Sequence, residues 1–322
     1  MKQINVLVFP GTNCEVETAR MIRAAGFAAK IFRWNEYPEA IFASDGLVIP
    51  GGFSFEDRGR SGVVAAASPI RTTLQKMAAA GKPILGICNG AQVLVETGLV
   101  PGFAEGRVEM ALARNRRQRN GEILGTGYYH TFIHIKPSGK PCAWTHFDGV
   151  LRVPIAHGEG RFVAEPAVLE RILQNGQNTL TYCDAAGQIE EHFPTNPNGS
   201  LANLAAVSNP SGTVLAMMPH PERVPEGIKI FESLHTFFAE AESAPVPQAS
   251  PPAPQPKTEL SPQESFPLEP FITAKITDNA ERTLEWALRR ALQQPNLSLR
   301  RRQYWGIAAS GDLKVIATRL LT

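Results

Sequence analysis

The sequence predicts an α/β fold, a mostly parallel sheet with helices on both faces, followed by a small appended α+β unit. Three observations carry that prediction. Short β-rich runs alternate with helical patterns through the first half of the chain, as strand–helix–strand crossovers require. Two glycine-bearing segments, PGGFSFEDRGRSG and GICNGAQ, each follow an apolar run directly, at the strand ends where open α/β sheets bind ligands. After residue 244 the composition changes abruptly.

Taken in order, INVLVF is the first strand and residues 14–25 read as a helix. AAKIFRW is a second strand, and GLVIP a third that ends in the turn Gly51-Gly52. A helical stretch, SPIRTTLQKMAAAG, leads to the strand PILGIC and then to a helix over residues 89–97. The second half is richer in strand. GYYHTFIHIKP alternates, and LTYCDAAGQIEEHF reads as a hairpin turning near Ala186-Gly187. The turn cluster TNPNGS and the apolar run TVLAMM follow, the run stopping before Pro219. GIKIFESLHTFFAEAES closes the unit as a helix whose Ile228, Phe231, Leu234 and Phe238 share the face that packs on the sheet.

From Pro245 to Pro267 the chain is dominated by Pro, Ser, Gln and Glu, an extended linker that cannot bury a core. Beyond it PFITAKIT reads as a strand, and DNAERTLEWALRRALQQ as a helix opened by capping-box spacing of Asp278 and Glu281. LRRRQYWGIAA and LKVIATRLL, around Ser310-Gly311-Asp312, suggest a hairpin. The expected organisation is a main domain over residues 1–241, a linker over 242–269 and a β-α-β-β module over 270–322. At about fifty residues that module is marginal in size for independent stability, and its role is open. A folded unit on a linker long enough to reach a neighbour suits tethered docking.

Bulk properties exclude several classes. In 322 residues, 32 basic side chains face 30 acidic ones, so no global charge argues for nucleic acid or an anionic membrane as partner. No apolar run reaches the length that spans a bilayer, and the opening MKQINVLVFPGTNCE reads as a strand rather than a signal peptide. Cys14, Cys88, Cys142 and Cys183 are scattered without a C-x-x-C pair, which fits a reducing cytoplasm and gives no zinc or redox site. Cys14, Cys142 and Cys183 read as packing. His130 and His134 share one face of a strand but have no third ligand nearby, so no metal is expected. In ARNRRQR, the run from Arg114 to Arg119 reads as a solvated loop rather than a nucleic-acid site, with docking or phosphate contact as its alternative use.

Cys88 is different because of its neighbours. Between Gly86 and Gly90, after Pro83-Ile84-Leu85, it is placed on a sharp strand-to-helix turn that lifts the side chain clear of the sheet. The following helix N-terminus favours thiolate there. A free cysteine, with a reference pKa of about 8.5, is only a few per cent thiolate at neutral pH, so a base is needed. MMPHPER supplies one: Pro221 drives His220 to an extended conformation, and Glu222, two residues on, projects to the same side to orient the imidazole. The amide of Asn89, next after the nucleophile, is a natural oxyanion donor. Gly51 and Gly52 let a bare backbone supply a second donor, and the residues alone do not choose between the two.

PGG, GICNGAQ and PHPE together resemble the class I, triad-type glutamine amidotransferases. The resemblance implies their flavodoxin-like fold, with Cys88 as nucleophile, His220 as base and then acid, and Glu222 as orienter. It further implies Gly52 and Asn89 as oxyanion donors, and places Gly51, Phe53, Gln92 and His157 on the substrate-binding side. FPGTNCE, PGGFSFEDRGRSG, IAHGEGRF, YCDAAGQ, NPNGS and MMPHPERV are similar to the PurQ family, the glutaminase subunits of phosphoribosylformylglycinamidine synthase in purine biosynthesis. The likeness runs from residue 1 to about 240. It departs in the loop GFSFEDRGRSG, where the family usually has a tyrosine-glycine version, and in the module beyond Pro245.

That resemblance implies glutamine as substrate and ammonia delivered to a PurL-type synthetase, with a PurS-type adaptor as a further partner. No cofactor is expected in this chain, which lacks a G-x-x-x-x-G-K-[ST] loop; ATP and Mg²⁺ are expected in the synthetase. The alternatives are a glutaminase serving another synthetase, a hydrolase of the same fold, or a non-catalytic assembly subunit. Asn89, where many cysteine hydrolases of this fold carry histidine, and the distant PHPE favour the amidotransferase.

Overall fold

Four short strands, three of them largely buried and one at the sheet edge, build the framework that carries the two glycine turns. In a computed structural model they are β1 (Gln3–Val8), β2 (Ala28–Arg33), β3 (Gly46–Ile49) and β4 (Ile84–Ile87). Between and after them lie α1 (Glu15–Ala24), α2 (Pro38–Phe42), α3 (Val63–Ala66), α4 (Ile70–Ala79) and α5 (Asn89–Glu96). The structure describes residues 1–243 and, beyond them, only the short strands Phe271–Ile272 and Gln303–Tyr304.

The second half adds β5 (Met110–Arg114), β6 (Arg116–Arg119), β7 (Glu122–Thr126), β8 (Tyr129–Pro137), β9 (Leu151–His157) and β10 (Glu159–Ala164). After α6 (Pro166–Asn175) come β11 (Leu180–Cys183), β12 (Leu204–Ser208), β13 (Val214–Met217) and α7 (Ile228–Ser243). One nine-stranded sheet runs in the order β2-β1-β3-β4-β13-β12-β11-β8-β9. From β2 to β13 the neighbours are parallel; from β13 to β9 they are antiparallel. Every residue of β3, β4 and β13 is buried, as strands covered on both faces must be, and this explains their unbroken apolar runs. The parallel sheet with its helices is the architecture expected from the alternation.

Three local expectations are corrected. LTYCDAAGQIEEHF is not a hairpin. Its turn forms where expected, with Asp184 Oδ1 accepting from the amides of Ala186 and Gln188, but no returning strand pairs with β11. Both edges of β11 are already bonded, to β8 on one side and β12 on the other, so a returning arm has nowhere to pair. Residues 116–119 are not a loop either: they form β6, paired antiparallel with β7 in a two-stranded ribbon. On α7, Phe231 and Leu234 are fully buried as expected and Ile228 and Phe238 half-buried, but Ile230 is also fully buried.

The chain divides into two compact units, Met1–Pro245 and Val246–Thr322. In the second, Phe271 pairs with Tyr304 and Ile272 with Gln303, both inside segments read as strands. The linker, the helix over DNAERTLEWALRRALQQ and the closing hairpin lie outside the described residues. No helix among the described residues is long and apolar enough to cross a membrane.

Candidate active site

The end of β4 turns sharply into α5, and Cys88 sits on that turn at φ 50°, ψ −105°, a conformation L-residues rarely adopt. Such a position costs about 1–3 kcal/mol and persists only where the surroundings over-determine it. Here they do. The Cys88 amide donates to the Met217 carbonyl at 2.8 Å, continuing the β4–β13 ladder past the strand end. A side chain at Gly90 would collide with the backbone carbonyl of Ile49, and one at Gly86 with that of Gly90. The two glycines flanking the cysteine are therefore required by close backbone approach, and the tight turn is a consequence of them.

His220 enters from the end of β13, the neighbouring strand. It is extended at φ −103°, ψ 86°, as Pro221 dictates, and its amide donates to the Pro154 carbonyl of β9 at 2.9 Å. Pro221–Arg223 then closes into a 3₁₀ turn, so Glu222 reaches back by a turn rather than along an extended strand. The result is the expected pair: His220 Nδ1–H donates to Glu222 Oε1 at 2.6 Å, both side chains almost wholly buried. Burial alone would lower the imidazole's pKa. The Glu222 carboxylate and the neighbouring Cys88 sulfur outweigh burial and raise it well above the usual histidine range.

Cys88 and His220, distant in sequence, therefore meet at one rim of the sheet. The Cys88 thiol points to the Ala156 carbonyl, 3.7 Å away, and His220 Nε2 has no hydrogen-bond partner among the described residues. The sulfur lies close enough to shift the imidazole without yet bonding to Nε2, a contact that in such sites tightens when substrate enters. β9 is the last strand in the sheet order, yet its residues 154–157 fold over the site through these contacts with His220 and Cys88.

The remaining residues expected here divide into wall and rim. Gly51 is wedged against the His220 ring: a Cβ there would lie 2.7 Å from His220 Cε1 and 3.2 Å from Cys14 Sγ. Gly52, at φ 147°, adopts backbone that only glycine takes readily, bridging to Thr12. The Phe53 amide donates to the Gly11 carbonyl at 2.9 Å while its side chain is half-exposed on the rim. Asn89 Oδ1 accepts from the Ser54 amide at 3.0 Å, and its Nδ2 donates to Asp57 Oδ1 at 3.2 Å and Gln92 Oε1 at 2.9 Å. These bonds hold a loop in which Phe55, Glu56 and Asp57 are all left-handed, with φ 53°, 59° and 51°. Gln92 has both ends of its amide engaged, its Nε2 donating to the Glu159 carbonyl at 2.6 Å. His157 lies buried at the end of β9. Burial first, then the charge of His220, pushes its pKa down to about 3, so it is neutral.

Four residues escaped the sequence reading. Cys14, read as packing, is fully buried but packs against the base: its sulfur and the ligand atoms of His220 and Glu222 lie within 4.8 Å of one another. That trio does not suit a metal, because the Arg223 guanidinium already stands 3.0 Å from Cys14 Sγ and 3.9 Å from Glu222 Oε1, where a cation's charge would fall. Arg223, in PHPER, was passed over because the acid before it explained the motif. Asn115, fully buried within an arginine run, bonds four groups: it donates to the carbonyls of Gly127 and His157, and accepts from the Gly160 amide and His157 Nδ1–H. Asn198, in NPNGS, donates to the Gly160 carbonyl at 2.8 Å. A lone asparagine among charges gives no periodic signal; NPNGS shows as a turn and as part of the family likeness, neither of which indicates what Asn198 bonds.

A thiol on a strained turn beside a buried imidazole–carboxylate pair makes an arrangement suited to acyl transfer. A family model described as a CobB/CobQ-like glutamine amidotransferase domain matches residues 1–235. A phosphoribosylformylglycinamidine synthase subunit PurQ of Methanothrix thermoacetophila is 44% identical over 263 residues, covering 75% of this chain and 100% of the relative. Its counterpart in Pyrococcus furiosus is 38% identical over 245 residues, covering 73% of this chain and 97% of the relative. Among solved structures, a chain described as the structure of PurLQS from Thermotoga maritima superimposes with a TM-score of 0.58 at 29% identity, covering 74% of this chain and 99% of that one.

Proposed function

From a chain that belongs to the PurQ family of glutamine amidotransferases, we infer how its own residues carry that family's reaction. The protein is a glutaminase subunit of phosphoribosylformylglycinamidine synthase, acting in purine biosynthesis. In the proposed mechanism Cys88 Sγ attacks the side-chain carboxamide carbon of glutamine while His220 Nε2 takes the thiol proton. The oxyanion is received by the amides of Asn89 and Gly52. The C–N bond then breaks, His220 protonates the departing nitrogen, and ammonia leaves a γ-glutamyl thioester on Cys88. Water, deprotonated by His220, attacks the thioester; glutamate leaves and the thiol is restored.

Glu222 holds the Nδ1 proton throughout and stabilises the imidazolium that each step creates. The observation that carries this reading is the buried 2.6 Å Nδ1–Oε1 pair beside Cys88, whose effect is to raise the base's pKa. Gly51, Phe53, Gln92 and His157 form the proposed substrate wall. Gln92 acts by bracing α5 against β10, since its amide is occupied by protein partners.

Ammonia protonates in water and loses its nucleophilicity, so its consumer must dock here. The proposed consumer is a PurL-type synthetase that converts formylglycinamide ribonucleotide to the formylglycinamidine, with a PurS-type adaptor as a further partner. ATP and Mg²⁺ belong to the synthetase in this scheme, and this chain needs no cofactor for its own half. The solved relative named PurLQS supports assembly with a synthetase. Cys88→Ala tests the division of labour in the reconstituted complex. Glutamine-dependent synthesis is expected to vanish while ammonia-dependent synthesis persists; loss of both would refute it.

A further inference from the structure

The mechanism leaves the arginine-rich segment unused, and the structure makes of it a defined surface. β6 and β7 pair as a two-stranded ribbon with Arg116 opposite Thr126, Arg117 opposite Gly125 and Arg119 opposite Glu122. The ribbon is rooted in the wall of the active site. The Asn115 amide, just before it, donates to the Gly158 carbonyl at 2.9 Å, and the Arg116 amide to the Asn198 carbonyl at 2.9 Å. Through Asn115 the ribbon's base is bonded to His157 itself.

Its arginines outnumber the one carboxylate on the ribbon, Glu122, and none of them is ion-paired to a described residue. Among the described residues, the arginines that reach a carboxylate are Arg58, Arg60 and Arg223, and none of Arg114, Arg116, Arg117, Arg119 or Arg161 does so. Burial first, and then the charge of Arg116, lower the pKa of Arg161. The Arg117 guanidinium lies over the Tyr129 ring, 4.5 Å from its centre, and Arg119 donates to the Phe193 carbonyl at 2.9 Å. A two-stranded ribbon that gathers several unpaired arginines presents a surface suited to an anionic counterpart. Beside the arginines Ile123, Leu124 and Tyr128 are 52%, 48% and 60% exposed. Adjacent exposed apolar side chains do nothing for a free phosphate ion, but aromatic, aliphatic and arginine side chains together are what protein interfaces are built from.

We propose that the β6–β7 ribbon is a docking element for an acidic, apolar-centred face of the synthetase partner, seated where it covers the active-site wall formed by His157 and Gly158. The inference rests on the partner assignment above. It also supplies what ammonia delivery demands, a contact rooted in the same hydrogen-bond network as the site, so that the partner's seat and the catalytic wall are fixed to each other through Asn115.

The experiment measures association of the full chain with the purified synthetase, for wild type, Arg116→Glu/Arg119→Glu and Arg116→Lys/Arg119→Lys. Both side chains are exposed, so the fold should be unaffected, and alkylation of Cys88 by a thiol-reactive glutamine analogue reports an intact site. The expected result is at least a tenfold rise in Kd for the glutamate variant and near-wild-type binding for the lysine variant. Wild-type binding should also weaken as salt is raised. A glutamate variant that binds like wild type would overturn the inference alone, as would inorganic phosphate binding to the ribbon with association unchanged. A wild-type chain that binds no synthetase would overturn the partner assignment beneath it.

Discussion

Two histidines border the same site and have been driven in opposite directions. His220, on the turn after β13, shares its Nδ1 proton with a buried carboxylate and has its pKa raised well above the usual range despite its burial. His157, at the end of β9, is equally buried but bonds the neutral amide of Asn115 rather than a carboxylate, and burial pushes its pKa down to about 3. Burial is common to both, so it is not what makes a base. The difference is one carboxylate, placed by a three-residue turn. The charge of His220 also helps to keep His157 neutral, which suits the proposed division between a ring that cycles protons and an uncharged wall.

The largest test of that contrast is substitution of each ring. His220→Asn is expected to lower glutamine-dependent kcat by about 10²–10⁴-fold, the usual worth of a positioned general base. His157→Gln should raise KM more than it lowers kcat, and steady-state kinetics on the two variants separates these outcomes. Next in size is Glu222→Gln, which removes the charge but keeps a side chain of the same shape. It should cost at least about tenfold in kcat, less than His220→Asn, and shift the basic limb of thioester formation to lower pH as the imidazole loses the group that raises its pKa. Gly160→Ala strikes the other histidine, because the new Cβ would run into the His157 ring. A stability loss of about 1–3 kcal/mol is expected by thermal or denaturant melting, typical of overpacking.

The smallest effect is in the pH dependence of stability, and its sign differs between the rings. His157 has a depressed folded pKa, so its contribution is present above about 6.5 and is lost as pH falls towards about 3. His220 has a raised folded pKa, so its contribution is full below about 6.5 and is lost as pH rises through the folded value. Melting curves should therefore show His157→Gln flattening the acid side of the stability profile and Glu222→Gln flattening the neutral-to-alkaline side.

How much of this the sequence disclosed follows from the range of the forces involved. The elbow around Cys88 was legible because close backbone approach admits only glycine, and Gly86 and Gly90 record it in the chain. The His220–Glu222 pair was legible because proline fixes its own neighbourhood and the acid lies two residues away. Long-range placement was not. Nothing in Cys14 indicates that it packs on the base beside Arg223, and nothing in Asn115 shows the four bonds by which it organises residues 127 and 157–160. The second strand of the LTYCDAAGQIEEHF pattern failed for the same reason: local alternation was right about β11 and blind to the strands already occupying both its edges.

The central claim is that the sulfur at position 88 reacts because the imidazole at 220 meets it. Mapping the site of modification by mass spectrometry, after the complex meets a thiol-reactive glutamine analogue, tests that claim most directly. The label is expected on Cys88 in wild type and should form at least a hundredfold more slowly in His220→Asn. A label on Cys14, or on Cys88 at an undiminished rate without the imidazole, would contradict it.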